Sequence, residues 1–238
     1  MSATLEPSKS QVNKAGKYLR DIHNGTIAQG DIDHPRRQAS WRIVTAFRDA
    51  HAYPMLKVRN GLASMINTLN IDAAPTQRHK RVPRIVRKLS RFHETSLARL
   101  EDIGGCRVVC SAGDLDRMCR RIEDNWSTGI TRTRDNIANP KEIGYRARHY
   151  VVIRDGCAIE IQVRSLGQQN WADAIEALDA RRKLNLKDGT GPESLIRYFC
   201  LGGELIFRSE FELEISEELR ADLSAATKRV VDEGYYSR

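Results

Sequence analysis

Ile159-Glu-Ile-Gln-Val-Arg164 alternates apolar and polar side chains without a break. A β-strand sends successive side chains to opposite faces, so Ile159, Ile161 and Val163 share one face and Glu160, Gln162 and Arg164 the other. A carboxylate, an amide and a guanidinium spaced about 7 Å apart can hold a metal, a base and a phosphate. The run just upstream, Arg148–Arg154, is also β-rich, and Asp155-Gly156 between the two is a strong hairpin signal. A two-residue turn there pairs Arg154 with Cys157, Val151 with Glu160 and His149 with Gln162. Directly opposed residues share a face, so His149, Glu160 and Gln162 gather on the polar side. Tyr150, Val152, Ile159 and Ile161 then enter a core. A slip of one residue would exchange the faces.

Outward from the hairpin, the upstream third reads as helical. Residues 1 to about 10 look frayed, and Ser10 is placed to cap a helix carrying Val12, Ala15, Leu19 and Ile22, stopped by Gly25. A second helix from about Gln38 turns Trp41, Val44 and Phe47 inward. Pro54 opens a third, with Met55, Val58, Leu62, Met65, Ile66 and Leu69 at helical spacing. Residues 75–81 read as a basic loop, followed by a helix with Pro83 near its start and Ile85 and Leu89 inward. Asp102-Ile-Gly-Gly feeds a strand over 106–110, then come a helix over 114–125 and a strand over 130–134. Beyond Ser165, helices are expected over about 167–182, 192–207 and 214–232, the first two separated by residues 187–194.

Composition bounds what such a chain can do. With 238 residues and 40% hydrophobic side chains it can bury a real core. A net charge of +8 and an isoelectric point near 9.4 favour a polyanionic partner, or simply a solvated basic surface. The five cysteines are odd in number and form no C-x-x-C pair, which fits buried reduced thiols rather than a zinc site or disulfides. No apolar signal core opens the chain and no stretch of about 18 apolar residues occurs, so the expected location is the cytoplasm, with no membrane partner.

Three sets of residues carry chemistry. Asp102, in a Gly-rich loop at a strand mouth, and Glu160 are two carboxylates. A Mg²⁺ that also grips polyphosphate needs only one or two of these. The plainer alternative has Asp102 capping a turn and Glu160 pairing with Arg164 or a lysine. The second set is the cationic cluster Arg78, Lys80, Arg81, Arg84, Arg87 and Lys88, with Arg107 from the next strand. Guanidinium groups can bind phosphate or stack on a base, although a charge run is also the ordinary solvated face of a helix. The third is Tyr145, at a loop tip four residues before His149, with Lys141 upstream. Such a ring can stack on a purine, or simply pack.

Taken together, these residues resemble the synthetase domain of the RelA/SpoT family of ATP-dependent nucleotide pyrophosphokinases. The likeness rests on residues 78–89 (RHKRVPRIVRKL), 99–109 (RLEDIGGCRVV), 135–149 (DNIANPKEIGYRARH) and 160–165 (EIQVRS), in the family's order and with similar spacing. Trp171-Ala172 looks like the helix that follows. The resemblance implies that Asp102 and Glu160 bind Mg²⁺ and that Glu160 activates the attacking 3′-hydroxyl. It implies that Arg78 and Arg107 sandwich the adenine of ATP, with Lys80 and Lys88 on its phosphates. Tyr145 would stack on the acceptor base, while Lys141, His149 and Gln162 hold the acceptor. Three positions depart from the family pattern: Arg84 where serine is usual, Ala147-Arg148 within the Y-R-S-L-H segment, and Asn136 in place of an aromatic. They bear on acceptor choice more than on catalysis.

The expected fold is α/β (α+β), a mixed and largely antiparallel sheet of about five strands flanked by helices. Residues 75–185 would form the pyrophosphokinase core, with helical extensions over 1–74 and 186–238. No His-Asp metal motif of the family's hydrolase domain is present, and the expectation is a small, synthetase-only form. The acceptor is GDP or GTP, giving the alarmone (p)ppGpp, or the 3′-terminal adenosine of tRNA, the reaction of toxin-like members that pair with an antitoxin protein. A catalytically silent RNA- or nucleotide-binding regulator on the same fold is the alternative.

Overall fold

The hairpin forms in the expected register. In the computed structural model, which describes residues 7–186 and 189–236, Val151 lies opposite Glu160 and His149 opposite Gln162. Asp155 and Gly156 both take positive φ, 49° and 76°, as a tight hairpin turn of the right twist requires.

This hairpin is the centre of one five-stranded sheet. Its strands are β1 (Thr76–His79), β2 (Gly104–Cys110), β3 (Ile130–Asp135), β4 (Arg148–Arg154) and β5 (Cys157–Ser165), in the spatial order β1-β2-β5-β4-β3. β2 and β5 run parallel and the other neighbours antiparallel. The parallel pair is reached through a crossover containing helix α5 (Ala112–Trp126) and then β3 and β4.

The remaining helices are α1 (Lys9–His23), α2 (His34–Asp49), α3 (Ala52–Leu69), α4 (Val82–Arg91), α6 (Leu166–Arg182), α7 (Glu193–Glu210) and α8 (Glu217–Asp232). α3 and α5 cover the apolar face of the sheet. Met55, Val58 and Leu62 from α3 and Leu115, Met118 and Ile122 from α5 close over Ile159, Ile161 and Val163. A second cluster joins α1, α2 and α4 around Val44, Ile85 and Ile103. A third joins α6 and α7 to Ile143, Tyr145 and Ala147 of the segment before β4. The polar face of the sheet is thereby left for chemistry. All five cysteines are free, and burial pushes the thiols of Cys106 and Cys110 up to about 12.

Several local expectations are corrected. The first helix is capped by Ser8, not Ser10: Ser8 and Gln11 form a reciprocal capping box, which orders residues 7–10. Residues 1–6 of the frayed stretch, and Lys187 and Asp188 of the expected break, lie outside the described residues. Trp41 is not inward but 42% exposed, because α2 buries the stripe containing Ser40 and Val44 and Trp41 falls beside it. Residues 76–79 form an edge strand rather than a loop. Thr-Gln-Arg-His has no apolar alternation, so only its pairing with β2 makes it a strand.

Truncating Ile161 to alanine, at the fully buried centre of the sheet, is expected to cost about 2–5 kcal/mol. Urea unfolding should show a lower midpoint with an unchanged slope.

Candidate active site

Strand pairing alone lays out the polar face as two rows across the sheet. One row reads Arg78, Gly105, Glu160, Val151, Arg132, and the next Thr76, Arg107, Gln162, His149, Arg134. Glu160 is thus central, with one pair of arginines toward the β1 edge and another toward the β3 edge. Gly105 beside it adds no side chain, which leaves the floor open next to the carboxylate.

Glu160 is held by a chain of hydrogen bonds. Gln162 Nε2 donates to one carboxylate oxygen at 2.9 Å, and His149 Nδ1 lies 2.9 Å from the other. A carboxylate only accepts, so Nδ1 carries the ring proton. Tyr145 Oη lies 2.7 Å from His149 Nε2 and accepts from Arg164 Nη2 at 2.8 Å. Arg164, 1% exposed, also donates to Gln162 Oε1 at 2.9 Å and to Gln169 at 3.2 Å. Burial by itself would raise the carboxyl's pKa. The hydrogen bonds from His149 and Gln162 and the nearby Lys88 ammonium outweigh it and hold Glu160 down at about 2. Glu160 is therefore ionised at neutral pH, and its partner on the facing strand is His149, not Arg164.

Asp102 faces the same space. It ends the loop before β2, where the buried Ile103 locks the backbone into the second core cluster. Its Oδ2 receives the ammonium groups of both Lys80 and Lys88, the latter at 2.6 Å. Burial pulls Lys80 below its usual value, although Asp102 beside it opposes the shift. The other oxygen, Oδ1, is buried and has no hydrogen-bond partner. Among the described residues no cluster of three or more His, Cys, Asp or Glu could chelate a metal alone. The donor set instead fits an ion shared between one or two carboxylates and a ligand's phosphates.

A cavity of about 530 Å³ opens here, lined by Asp102, Glu160, Lys88 and His149 and, on the adjacent strand β3, by Arg132 and Arg134. Its size suits a nucleotide-scale ligand. The two β3 arginines were not singled out from sequence, though the alternation Ile-Thr-Arg-Thr-Arg marks them as neighbours on one strand face. Glu101 holds them, Arg132 at 2.9 Å and Arg134 at 3.9 Å. On the opposite side, Arg78 and Arg107 are diagonal neighbours on β1 and β2. Such positions lie about 7–8 Å apart, the gap that a flat ring between two guanidinium planes requires.

The remaining expected residues are placed less simply. Tyr145 is not at a loop tip: it is 6% exposed and packs against Trp171 at a ring-centroid distance of 6.1 Å. Lys141 Nζ lies 5.2 Å from the Tyr145 ring centroid, so those two do stand together. Arg148 pairs opposite Val163 and points to the α5 side of the sheet, where it binds Asp135 and sits 3.9 Å from Glu123. It faces away from Glu160, and Arg84 is exposed on α4.

Comparison with known proteins bears on the fold and on the region that carries these residues. Residues 77–182 match the family described as "Region found in RelA / SpoT proteins". The GTP pyrophosphokinase YjbM of Bacillus subtilis is 29% identical over 126 residues, 48% of this chain and 59% of its own length. The chain thus spans little more than half of that relative. The small alarmone synthetase 2 of Bacillus subtilis superimposes with a TM-score of 0.61 at 19% identity, covering 71% of this chain and 94% of that one. The small alarmone synthetase 1 of the same organism, bound to its product pppGpp, gives 0.57 at 24% identity over 74% and 94%. Residues 77–182 thus resemble the region found in RelA/SpoT proteins, and the fold around them is that of the small alarmone synthetases.

Proposed function

We propose that this protein is an ATP-dependent pyrophosphokinase that transfers the β,γ-pyrophosphate of ATP to the ribose 3′-OH of GDP or GTP. The observation that carries this reading is the ionised Glu160 beside a cavity it shares with Asp102, whose second oxygen is buried and unpartnered. The relatives' naming as GTP pyrophosphokinase and alarmone synthetase supports the same acceptor class.

The reaction forms a bond from the 3′-oxygen to the β-phosphorus and breaks the bond between that phosphorus and the oxygen bridging to the α-phosphorus, releasing AMP. Glu160 takes the hydroxyl proton as the oxygen attacks. Arg78 and Arg107 receive the adenine, and Lys80 and Lys88 exchange Asp102 for the donor's phosphates. His149 and Gln162 keep the Glu160 carboxylate ionised and fix its direction. Lys141 and Tyr145 stand on the acceptor side, next to His149. A Mg²⁺ held by Asp102 and Glu160 would supply charge neutralisation on the migrating group.

The 3′-terminal adenosine of tRNA is the second acceptor to consider, and with it an antitoxin partner. It rests on the +8 charge. Local support is thinner, since Arg148 binds carboxylates on the far face, and Arg181 and Arg182 donate to the carbonyls of Tyr235 and Gly234 at the end of α8. Among the described residues no helix is long and apolar enough to cross a membrane.

Incubation with γ-labelled ATP and Mg²⁺, offering GDP, GTP or bulk tRNA separately, is expected to label the guanine nucleotides. Label on tRNA alone, lost steeply with added salt, would move the acceptor. Label on none would favour a silent binding module. Glu160→Gln should retain nucleotide binding but lower turnover by about 10²–10⁴-fold. Because the Glu160 pKa is depressed, the base is present from neutral pH down and is lost only as pH falls toward about 2. His149→Ala removes the main opposing interaction, so at saturating acceptor the acid limb of the kcat profile is expected to move to higher pH.

A further inference from the structure

Helix α7 lies outside residues 77–182, yet it is built into the segment that ends at strand β4, which carries His149. Gly144 takes φ of 85°, and a Cβ there would meet the Cys200 Cα and the Phe199 carbonyl at 3.0 Å. From the other side, a Cβ on Gly203 would meet the Gly144 carbonyl at 2.7 Å. Two glycines therefore allow backbone to touch backbone. Next to this contact Arg146, 7% exposed, donates to the Ile137 carbonyl and pairs with Glu204, while its guanidinium carbon lies 4.0 Å from the centre of the Phe207 ring. Trp171 Nε1 donates to the Phe199 carbonyl at 2.8 Å, and Tyr145 packs on Trp171.

The contacts continue without a gap into the site. Gly144 and Arg146 flank Tyr145, whose hydroxyl is bonded to His149, which is bonded to Glu160. The whole segment 136–147 is tied at both ends, since Arg146 reaches back to Ile137. A buried arginine with one carboxylate partner is a strong directional constraint, because removing that partner leaves an uncompensated charge. Glu204 also accepts from Arg208 Nε at 2.6 Å, four residues on, which fixes its rotamer on the helix.

We infer that Glu204 and Gly203 of α7 are positioning residues for the acceptor: they set where Tyr145 and His149 stand, and so where the acceptor ribose meets Glu160. The inference rests on the pyrophosphokinase reading. Of the donor side, Arg78, Lys80, Lys88 and Asp102 make none of these contacts, while Arg107 meets the Tyr145 hydroxyl only through space, so α7 bears on the acceptor more directly than on the donor.

The test compares wild type with Glu204→Gln, which removes the charge, and Gly203→Ala, which presses on the Gly144 carbonyl without changing any charge. Each is assayed for acceptor KM and kcat, and for affinity toward α,β-methylene-ATP by calorimetry. The expected result is an acceptor KM raised about tenfold in both variants, with analogue affinity unchanged. Thermal unfolding and the analogue affinity report whether the variants are folded. Equal losses in both substrates would make α7 a general scaffold and overturn the inference, as would an unchanged acceptor KM. A Glu204→Asp variant, shorter but still charged, should recover part of the acceptor KM. Wild type that labels no acceptor at all would overturn the pyrophosphokinase reading itself, and this inference with it.

Discussion

Everything in this molecule depends on β5 being paired on both sides, parallel to β2 and antiparallel to β4. That double pairing places Glu160 at the centre of the polar face with Gly105 on one flank and Val151 on the other. It also brings His149 next to Gln162, so the carboxylate meets its two hydrogen-bond donors by register alone. A strand with one free edge could slip by one residue and lose the whole site. A strand whose isoleucines are locked under α3 and α5 cannot, because the slip would expose them.

The site is a balance of partly buried and exposed charges of opposite sign. Two lysines share one oxygen of Asp102, two arginines lean on Glu101, and Glu160 draws on His149, Gln162 and the field of Lys88. Asp102, Glu101 and Glu160 are thus already met by cations or hydrogen-bond donors before any ligand arrives. A polyanionic ligand would compete with those carboxylates for the same cations. The same layout separates two arginine pairs, Arg78 and Arg107 toward β1 and Arg132 and Arg134 toward β3.

Much of this is legible in the sequence for a simple reason: it is local. The period-two pattern of residues 159–164 and the Asp-Gly turn determine a hairpin register, and with it the company of His149, Glu160 and Gln162. What escaped was non-local. β1 has no pattern of its own and exists because β2 offers it an edge. Tyr145 looks like a loop residue until α6 and α7 bury it. Arg148 looks like a ligand-binding departure until the alternation of β4 sends it to the α5 side.

The sequence by itself therefore determined the strand β5, its turn and the identity of the residues on its polar face, because dihedral preferences and side-chain alternation act over a few residues. Only the tertiary structure decided which groups close around that strand: the lysines on Asp102, the arginine pair on β3, and the grip of α7 on Gly144 and Arg146. Those are contacts between segments as far apart as Arg146 and Glu204, set by packing and charge pairing across the fold, and no window of sequence contains them.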